Sequence, residues 1–338
     1  MKRLVCLLIL IAHSALAADL EPGKPVDYKS LAFYPERWED RKVDTQLIPW
    51  QGQHIVLLTD NRKLNAKTMT RIVERLDGGW QLYAKLVGQE PSLFKHLDSK
   101  PLIAASPDGN LSCGVGCGYI GATGIEVGKF YDDDYPLMLK NENAFPHYFY
   151  YEMGRNYYVF GDRHSSFITG YAVFMRYVCM DTLECEDPDA ATRKTIEACE
   201  AEYAKSDLSF LKAFTMADGL DEKAPRLSIH PSDQPVMYAT AMLKLHRECG
   251  GNEWLTKFYR HLAKCPEIKP DTKEKALEQS LSWLVCASAA AGKDLTPVFV
   301  DRWRMPLTAA ERKALVKVDW SNDKLEVQQV LREFPKYQ

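Results

Sequence analysis

Glu152 stands in the run Tyr151-Glu152-Met153-Gly154-Arg155-Asn156, a carboxylate with a phenol beside it and a guanidinium three residues on. A carboxylate in a cleft could take a proton as a general base. If the run is helical, positions 151 and 155 share a face, and Glu152 is close enough to Arg155 to pair with it. Arg155 stays protonated, so it offers charge and hydrogen bonds but no lone pair. Pairing would offset the burial of both groups. Asp162 supplies another carboxylate, and with Glu152 could form the acid pair of a glycoside hydrolase.

Other groups near this run could bind a metal ion. His147 lies four residues before Tyr151, on the same face of a helix starting at Pro146, and His164 follows the run. Among aromatic residues, such histidines are more often packed than ligating. Glu126 ends an apolar stretch, and Asp132-Asp133-Asp134 forms an acidic triplet that suits a solvated turn or, alternatively, calcium. Ser165-Ser166 beside His164 suggests no nucleophile arrangement, because sequence neighbours rarely face each other. Gly114-x-Gly116-x-Gly118 lacks the strand before and helix after that a dinucleotide loop needs. The aromatic cluster from Tyr148 to Phe160 reads as core packing, or in part as a cleft wall.

Two kinds of element must position these groups. Ile55 to Leu58 and Pro101 to Ala105 read as buried strands, and Tyr119 to Val127 as an edge strand. Ala66 to Leu86 has helical spacing with an interruption at Gly78-Gly79; Pro146 to Phe160 and Phe167 to Met180 follow as further helical stretches. Residues 18–50, rich in Pro, Asp and Lys, read as an extended lead-in. After Glu184, helices are predicted over Asp189 to Ala213, Gln234 to Cys249, Asn252 to Ala263 and Asp271 to Ala291, the last capped by Gly292. Asp271 with Glu274 and Thr308 with Glu311 have capping-box spacing. The fold class is therefore α+β: a mixed α/β lobe over 18–185 and a helical lobe over 186–338.

Residues 1–17 read as a signal peptide: Lys2 and Arg3, an apolar stretch from Leu4, then Ala15-Leu16-Ala17. That predicts a secreted, periplasmic or extracellular protein. Removing them takes the net charge from −3 to −5, a balance that argues against nucleic acid as partner. No later stretch is long and apolar enough to span a membrane. Eight cysteines remain, and export favours disulfides over thiolate-bound zinc. Cys113 with Cys117 and Cys179 with Cys185 could be local bridges; Cys249, Cys265 and Cys286 are helical, and one could reach back to Cys199.

Four segments in order, over about residues 110–315, carry a family resemblance. Gly118 to Val127 resembles the edge strand that precedes the catalytic helix in gluzincin metallopeptidases. Tyr150 to Asn156 is similar to the His-Glu-x-Gly-His-Asn helix of the enhancin and mucin-degrading gluzincins, and to the His-Glu-Met-Thr-His helix of plant basic secretory proteins. Phe167 to Arg176 resembles the helix supplying their third zinc ligand, and Gly292 to Leu307 their Asp-Leu-Thr-Pro tail. The resemblance implies a zincin-like architecture with a cleft between the lobes. It also places Tyr151, Arg155 and Thr169 at the three ligand positions, where zinc would require imidazole, thiolate or carboxylate.

The expectation is a pseudopeptidase with no cofactor that binds a peptide, glycopeptide or glycan. Its cleft is formed by Tyr151, Glu152, Arg155, Thr169, His147 and Glu126. The alternative is a working hydrolase with Glu152 as general base and zinc on unusual ligands such as His147 and His164.

Overall fold

The computed structural model describes residues 19–111, 114–163, 168–215 and 234–334. The predicted signal peptide, Cys113 and His164 lie outside them.

Strands β1 (Val26–Asp27), β2 (Gln46–Gln51), β3 (Val56–Thr59), β4 (His96–Leu97), β5 (Lys100–Ala105), β6 (Gly116–Gly118) and β7 (Ile125–Val127) form one mixed sheet in the order β1-β2-β3-β5-β7-β6, with β4 paired to β5. β3, β5 and β7 run parallel, and β6 closes the far edge antiparallel to β7. Register divides their side chains between two faces. Leu57, Ile103 and Ile125 align and enter the main core. Leu58, Ala104 and Glu126 align on the other face, where Leu58 and Ala104 join a smaller core built on Tyr28, Trp38 and Leu47. Burial on both faces explains why β3 and β5 are apolar runs rather than alternating ones.

Residues 18–50 are thus more than a lead-in. They supply β1 and β2, which extend the sheet, and a short helix, α1 (Pro35–Asp40), whose Trp38 covers the second face together with Tyr28 and Ala32. Helix α2 (Ala66–Val87) starts at Asn65, whose side chain accepts from the Thr68 amide, and stops at Gly88 with φ +72°. It runs unbroken through Gly78-Gly79. A Cβ on Gly79 would stand 2.4 Å from the Tyr150 ring, so this glycine marks a close helix crossing rather than a break.

Helices α3 (Tyr135–Lys140), α4 (Tyr148–Asn156) and α5 (Ile168–Thr182) follow. α5 is buried on every side from Gly170 to Met180, and Gly154 lets it approach α4, since a Cβ there would lie 3.0 Å from Ala172 Cα.

The helical part comprises α6 (Ala190–Lys205), α7 (Phe210–Phe214), α8 (Gln234–Cys249), α9 (Gly251–Leu262), α10 (Lys273–Ala291), α11 (Ala309–Val316) and α12 (Val327–Arg332). The single helix predicted over Asp189 to Ala213 is broken at Ser206. Its hydroxyl donates to the Tyr203 carbonyl and accepts from the Leu208 amide, offering the chain an alternative to the helical ladder. Thr308 and Glu311 form the capping box predicted for α11. The α10 cap is Thr272 rather than Asp271, which pairs with Lys275 instead. One continuous buried cluster runs from Trp50 to Phe334, across both parts of the chain.

Cys117 is disulfide-bonded. Cys179 and Cys185, predicted as a bridge, are free thiols, as are Cys199, Cys249, Cys265 and Cys286. Cys179 is buried within α5, while Cys185 lies beyond the helix end with its sulfur 3.7 Å from the Tyr150 hydroxyl. Among the described residues no helix is long and apolar enough to cross a membrane.

Candidate functional site

β6 lies beside α4, and glycine makes that approach possible. A Cβ on Gly116 would meet Glu152 Cγ at 2.8 Å, and one on Gly118 would meet the Glu152 carbonyl at 2.7 Å. The alternating glycines therefore belong to an edge strand that leaves room for a carboxylate.

The same edge presents backbone groups. Gly128 N–H bonds the Val115 carbonyl at 2.9 Å, Tyr119 N–H bonds the Gly124 carbonyl at 3.2 Å, and Cys117 stands opposite Glu126. Odd-numbered positions thus pair with β7, and Gly116 and Gly118 turn their amides and carbonyls to the open side. Arg155 Nε donates to the outward Gly118 carbonyl at 3.3 Å. Asn156 Nδ2 donates to the carbonyls of Tyr119 (2.9 Å) and Gly124 (3.3 Å), fastening the β6–β7 turn to the end of α4. The predicted strand over Tyr119 to Val127 is this turn followed by β7, and the true edge is Gly116–Gly118.

Between edge and helix opens a cleft of about 400 Å³ with Tyr151, Glu152 and Arg155 on its α4 side. Phe33, Tyr34, Tyr119 and Ile120 complete its walls, with Phe33 stacked on Tyr119 at a centroid distance of 3.9 Å. Glu152 is 3% exposed and its Oε2 has no hydrogen-bond partner among the described residues. Burial pushes its pKa up to about 7, against smaller opposing pulls from the Arg155 charge and the Gly118 amide. Arg155 Nε stands 3.9 Å from Glu152 Oε2. These groups do not suit a zinc ion: a protonated guanidinium and a phenol occupy the positions flanking the carboxylate, and a fixed cation there repels a dication.

The other predicted residues scatter. Glu126 lies on the opposite face of the sheet, where it accepts from the Tyr28 hydroxyl (2.8 Å) and the Phe33 amide (2.9 Å). It positions the Phe33 wall without entering the cleft. His147 Nδ1 pairs with Asp187 Oδ1 at 3.0 Å. Burial opposes ionisation of Asp187, but the hydrogen bonds from His147 and the Asp189 amide and the charges of His147 and Arg176 hold its pKa below the ordinary carboxylate value. Thr169, exposed on α5, is not among the cleft residues.

The acidic triplet diverges. Asp134 is buried against the Tyr148 hydroxyl, and burial raises its pKa to about 7, while Asp133 pairs with Lys129 at 3.2 Å. Asp162 lies in a 3-10 turn, its carbonyl bonded by Ile268 N–H and Gln279, and is not among the cleft residues. No group of three His, Cys, Asp or Glu side chains that could hold a metal ion occurs among the described residues.

The sequence reading missed the cleft walls Phe33, Tyr34, Tyr119 and Ile120, and it missed Arg176. Arg176, 9% exposed on α5, lies with its guanidinium 5.9 Å from the Tyr151 ring centre and donates to the Tyr177 hydroxyl at 2.7 Å. Its Nε has no partner among the described residues. A second fixed cation therefore lies behind Tyr151. The only signal was an arginine inside an otherwise apolar helix.

No family model and no curated protein matches the chain. Among solved structures, a functionally unknown conserved protein from Bacillus anthracis str. Ames and a mutant of it each align with a TM-score of 0.54 at 13% identity, over 86% of this chain and 55% of theirs. The chain thus spans about half the length of those structures, and the likeness is one of fold alone. The M60 catalytic domain with the CBM51-1 and CBM51-2 domains from Clostridium perfringens ZmpB aligns with a TM-score of 0.46 at 16% identity, over 88% of this chain and 29% of that one.

Proposed function

We propose that this chain is an exported, zincin-like pseudopeptidase that binds an extended peptide or glycopeptide in the cleft between β6 and α4. The observation that carries this reading is the pairing of a short edge strand with a fixed cation. Gly116 offers outward backbone groups to an extended ligand, Gly118 does so once Arg155 gives up its carbonyl, and Arg155 offers charge where a metal-dependent peptidase would need an electron-pair donor. Aromatic walls at Phe33, Tyr34 and Tyr119 suit the flat faces of sugars or side chains. The order of edge strand, glutamate helix and following helix supports the zincin-like reading.

The test is calorimetric titration of the purified protein with an O-glycosylated peptide, the same peptide unglycosylated, and the free glycan, beside metal analysis. Binding of at least one of these probes, weakened about tenfold or more in Arg155→Ala, is expected from loss of a charge-assisted contact. A second reading draws on the Glu152 pKa near 7, which suits a general base at neutral pH. Stoichiometric zinc, with peptide hydrolysis that disappears in Glu152→Gln, would establish that enzyme and overturn the first reading.

A further inference from the structure

Four aromatic rings run in a row along one wall of the cleft and past its end. Tyr34 lies 6.5 Å from Phe33, Phe33 stacks on Tyr119 at 3.9 Å, and Tyr119 meets Phe94 at right angles at 5.0 Å. The first three rings line the cleft, and Phe94 carries the row beyond it. Backbone hydrogen bonds fix that last ring beside the β6–β7 turn. Ser92 N–H bonds the Gly121 carbonyl and Thr123 N–H the Ser92 carbonyl, both at 2.9 Å, and Phe94 N–H bonds Thr123 Oγ1 at 2.8 Å.

The row is uncovered. Seven large apolar side chains are exposed among the described residues, and Tyr34, Leu93, Phe94 and Ile120 are four of them, each between 43% and 53% exposed. Tyr34 and Phe94 belong to the row, Leu93 adjoins Phe94, and Ile120 follows Tyr119 into the cleft. Single exposed apolar residues are ordinary, but a group of them at the mouth of a cleft marks an interaction surface.

Two features point to what covers it. Among the described residues the cleft lining includes no Asn, Gln, Asp, Ser, Thr or His, and its one carboxylate, Glu152, is buried. A sugar ring entering here would leave most of its hydroxyls unpaired, whereas a bulky hydrocarbon side chain has none to satisfy. The charges around the row are also of one sign. The Arg37 guanidinium lies 4.7 Å from the centre of the Tyr34 ring and the Lys95 ammonium 4.8 Å from that of Phe94, so a cation stands at each end. Neither has a carboxylate partner among the described residues. On the α4 side, Arg155 uses Nε on the Gly118 carbonyl, and its Nη groups have no acceptor among the described residues. Acidic side chains complement such a frame.

Resting on the reading of the cleft as a peptide site, we propose that its ligand is an unglycosylated acidic segment of a partner protein. A bulky apolar side chain of that segment lies across Leu93, Phe94 and Ile120, and its carboxylates face Arg155 and Lys95. The test is fluorescence polarisation of the full chain with labelled Gly/Ser peptides carrying one Phe and one Glu about two to six residues apart, a reach of about 7–20 Å when extended. At least one spacing should bind, and changing its Phe to Ala or its Glu to Gln should each weaken binding about tenfold. O-glycosylated Thr in place of the Phe should weaken it as much. Leu93→Ala with Phe94→Ala, both at exposed positions, should cost about tenfold in affinity at an unchanged melting temperature. Binding that ignores the Phe or the Glu, or a folded double variant with parental affinity, overturns the proposal. So does a parent that sediments as a dimer while the double variant is monomeric, which would assign the row to a second copy. If only the glycosylated peptide or the free glycan binds, the cleft reading stands and this proposal falls; if no probe binds, both fall.

Discussion

Replacing Glu152 by Gln removes a charge that the fold resists. The carboxyl is nearly inaccessible, and burial moves its pKa from 4.5 to about 7. Below the lower value the group is protonated in both folded and unfolded chains and contributes no pH dependence. As pH rises from 4.5 towards 7 the unfolded chain gives up this proton first, so the folded state loses stability progressively. Above about 7 the whole cost remains, a difference of about 3 kcal/mol for a carboxyl displaced this far. Glutamine has no proton to lose. The stability of Glu152→Gln minus that of the parent should therefore grow by about 3 kcal/mol between roughly pH 4.5 and pH 8. Any steric effect of the amide adds a constant. Asp134, also raised to about 7, is common to both proteins and cancels in the difference. Urea unfolding of both proteins at five pH values across this window measures it. A difference that stays flat would refute the assignment of Glu152 as a buried carboxyl that prefers to be neutral.

Three other outcomes are expected. Gly79→Ala places a methyl 2.4 Å from the Tyr150 ring and should destabilise by about 1–3 kcal/mol in the same unfolding assay. Thr308→Ala removes one half of the α11 capping box and should cost about 1 kcal/mol, while Thr308→Ser should restore most of it. Cys265 and Cys286, with sulfurs 3.3 Å apart, should be joined by oxidised glutathione, which takes their two hydrogens and is reduced to two thiols. Peptide mapping would show the crosslink. Closing that loop should raise stability by about 3 kcal/mol, and recovery of both residues as alkylatable thiols would contradict the expectation.

The elements legible in the sequence were those with a long, uninterrupted period. α8 ends at Cys249, the predicted bound, and α2 ends within a residue of its prediction because the apolar face from Met69 to Leu86 outweighs two glycines. The α4 carboxylate and its guanidinium neighbour were legible for the same reason, since helical spacing alone puts residues three apart together. Sheet faces were not. Whether Glu126 meets Glu152 or turns away depends on the register of β7 between β5 and β6, and a one-residue slip would exchange its two faces. The edge strand was read too late in the chain because Gly116 and Gly118 carry no side chains, so the strand has no apolar alternation to announce it. Thr169 was placed by resemblance to a motif, whereas which residues line the cleft depends on how α5 packs on α4, where Gly154 meets Ala172. The Cys265–Cys286 approach depends on how the chain folds back between α9 and α10, and spacing alone does not encode it.

A sheet that ends in exposed hydrogen-bonding groups invites other sheets to continue it. Here the last rung is only three residues long, and one of its outward carbonyls is already claimed by Arg155. Another molecule's strand would have to dislodge that arginine to gain two short positions of ladder. The same guanidinium thus guards the chain against stacking into aggregates, and a substitution made to probe ligand binding at Arg155 would also remove a safeguard on solubility.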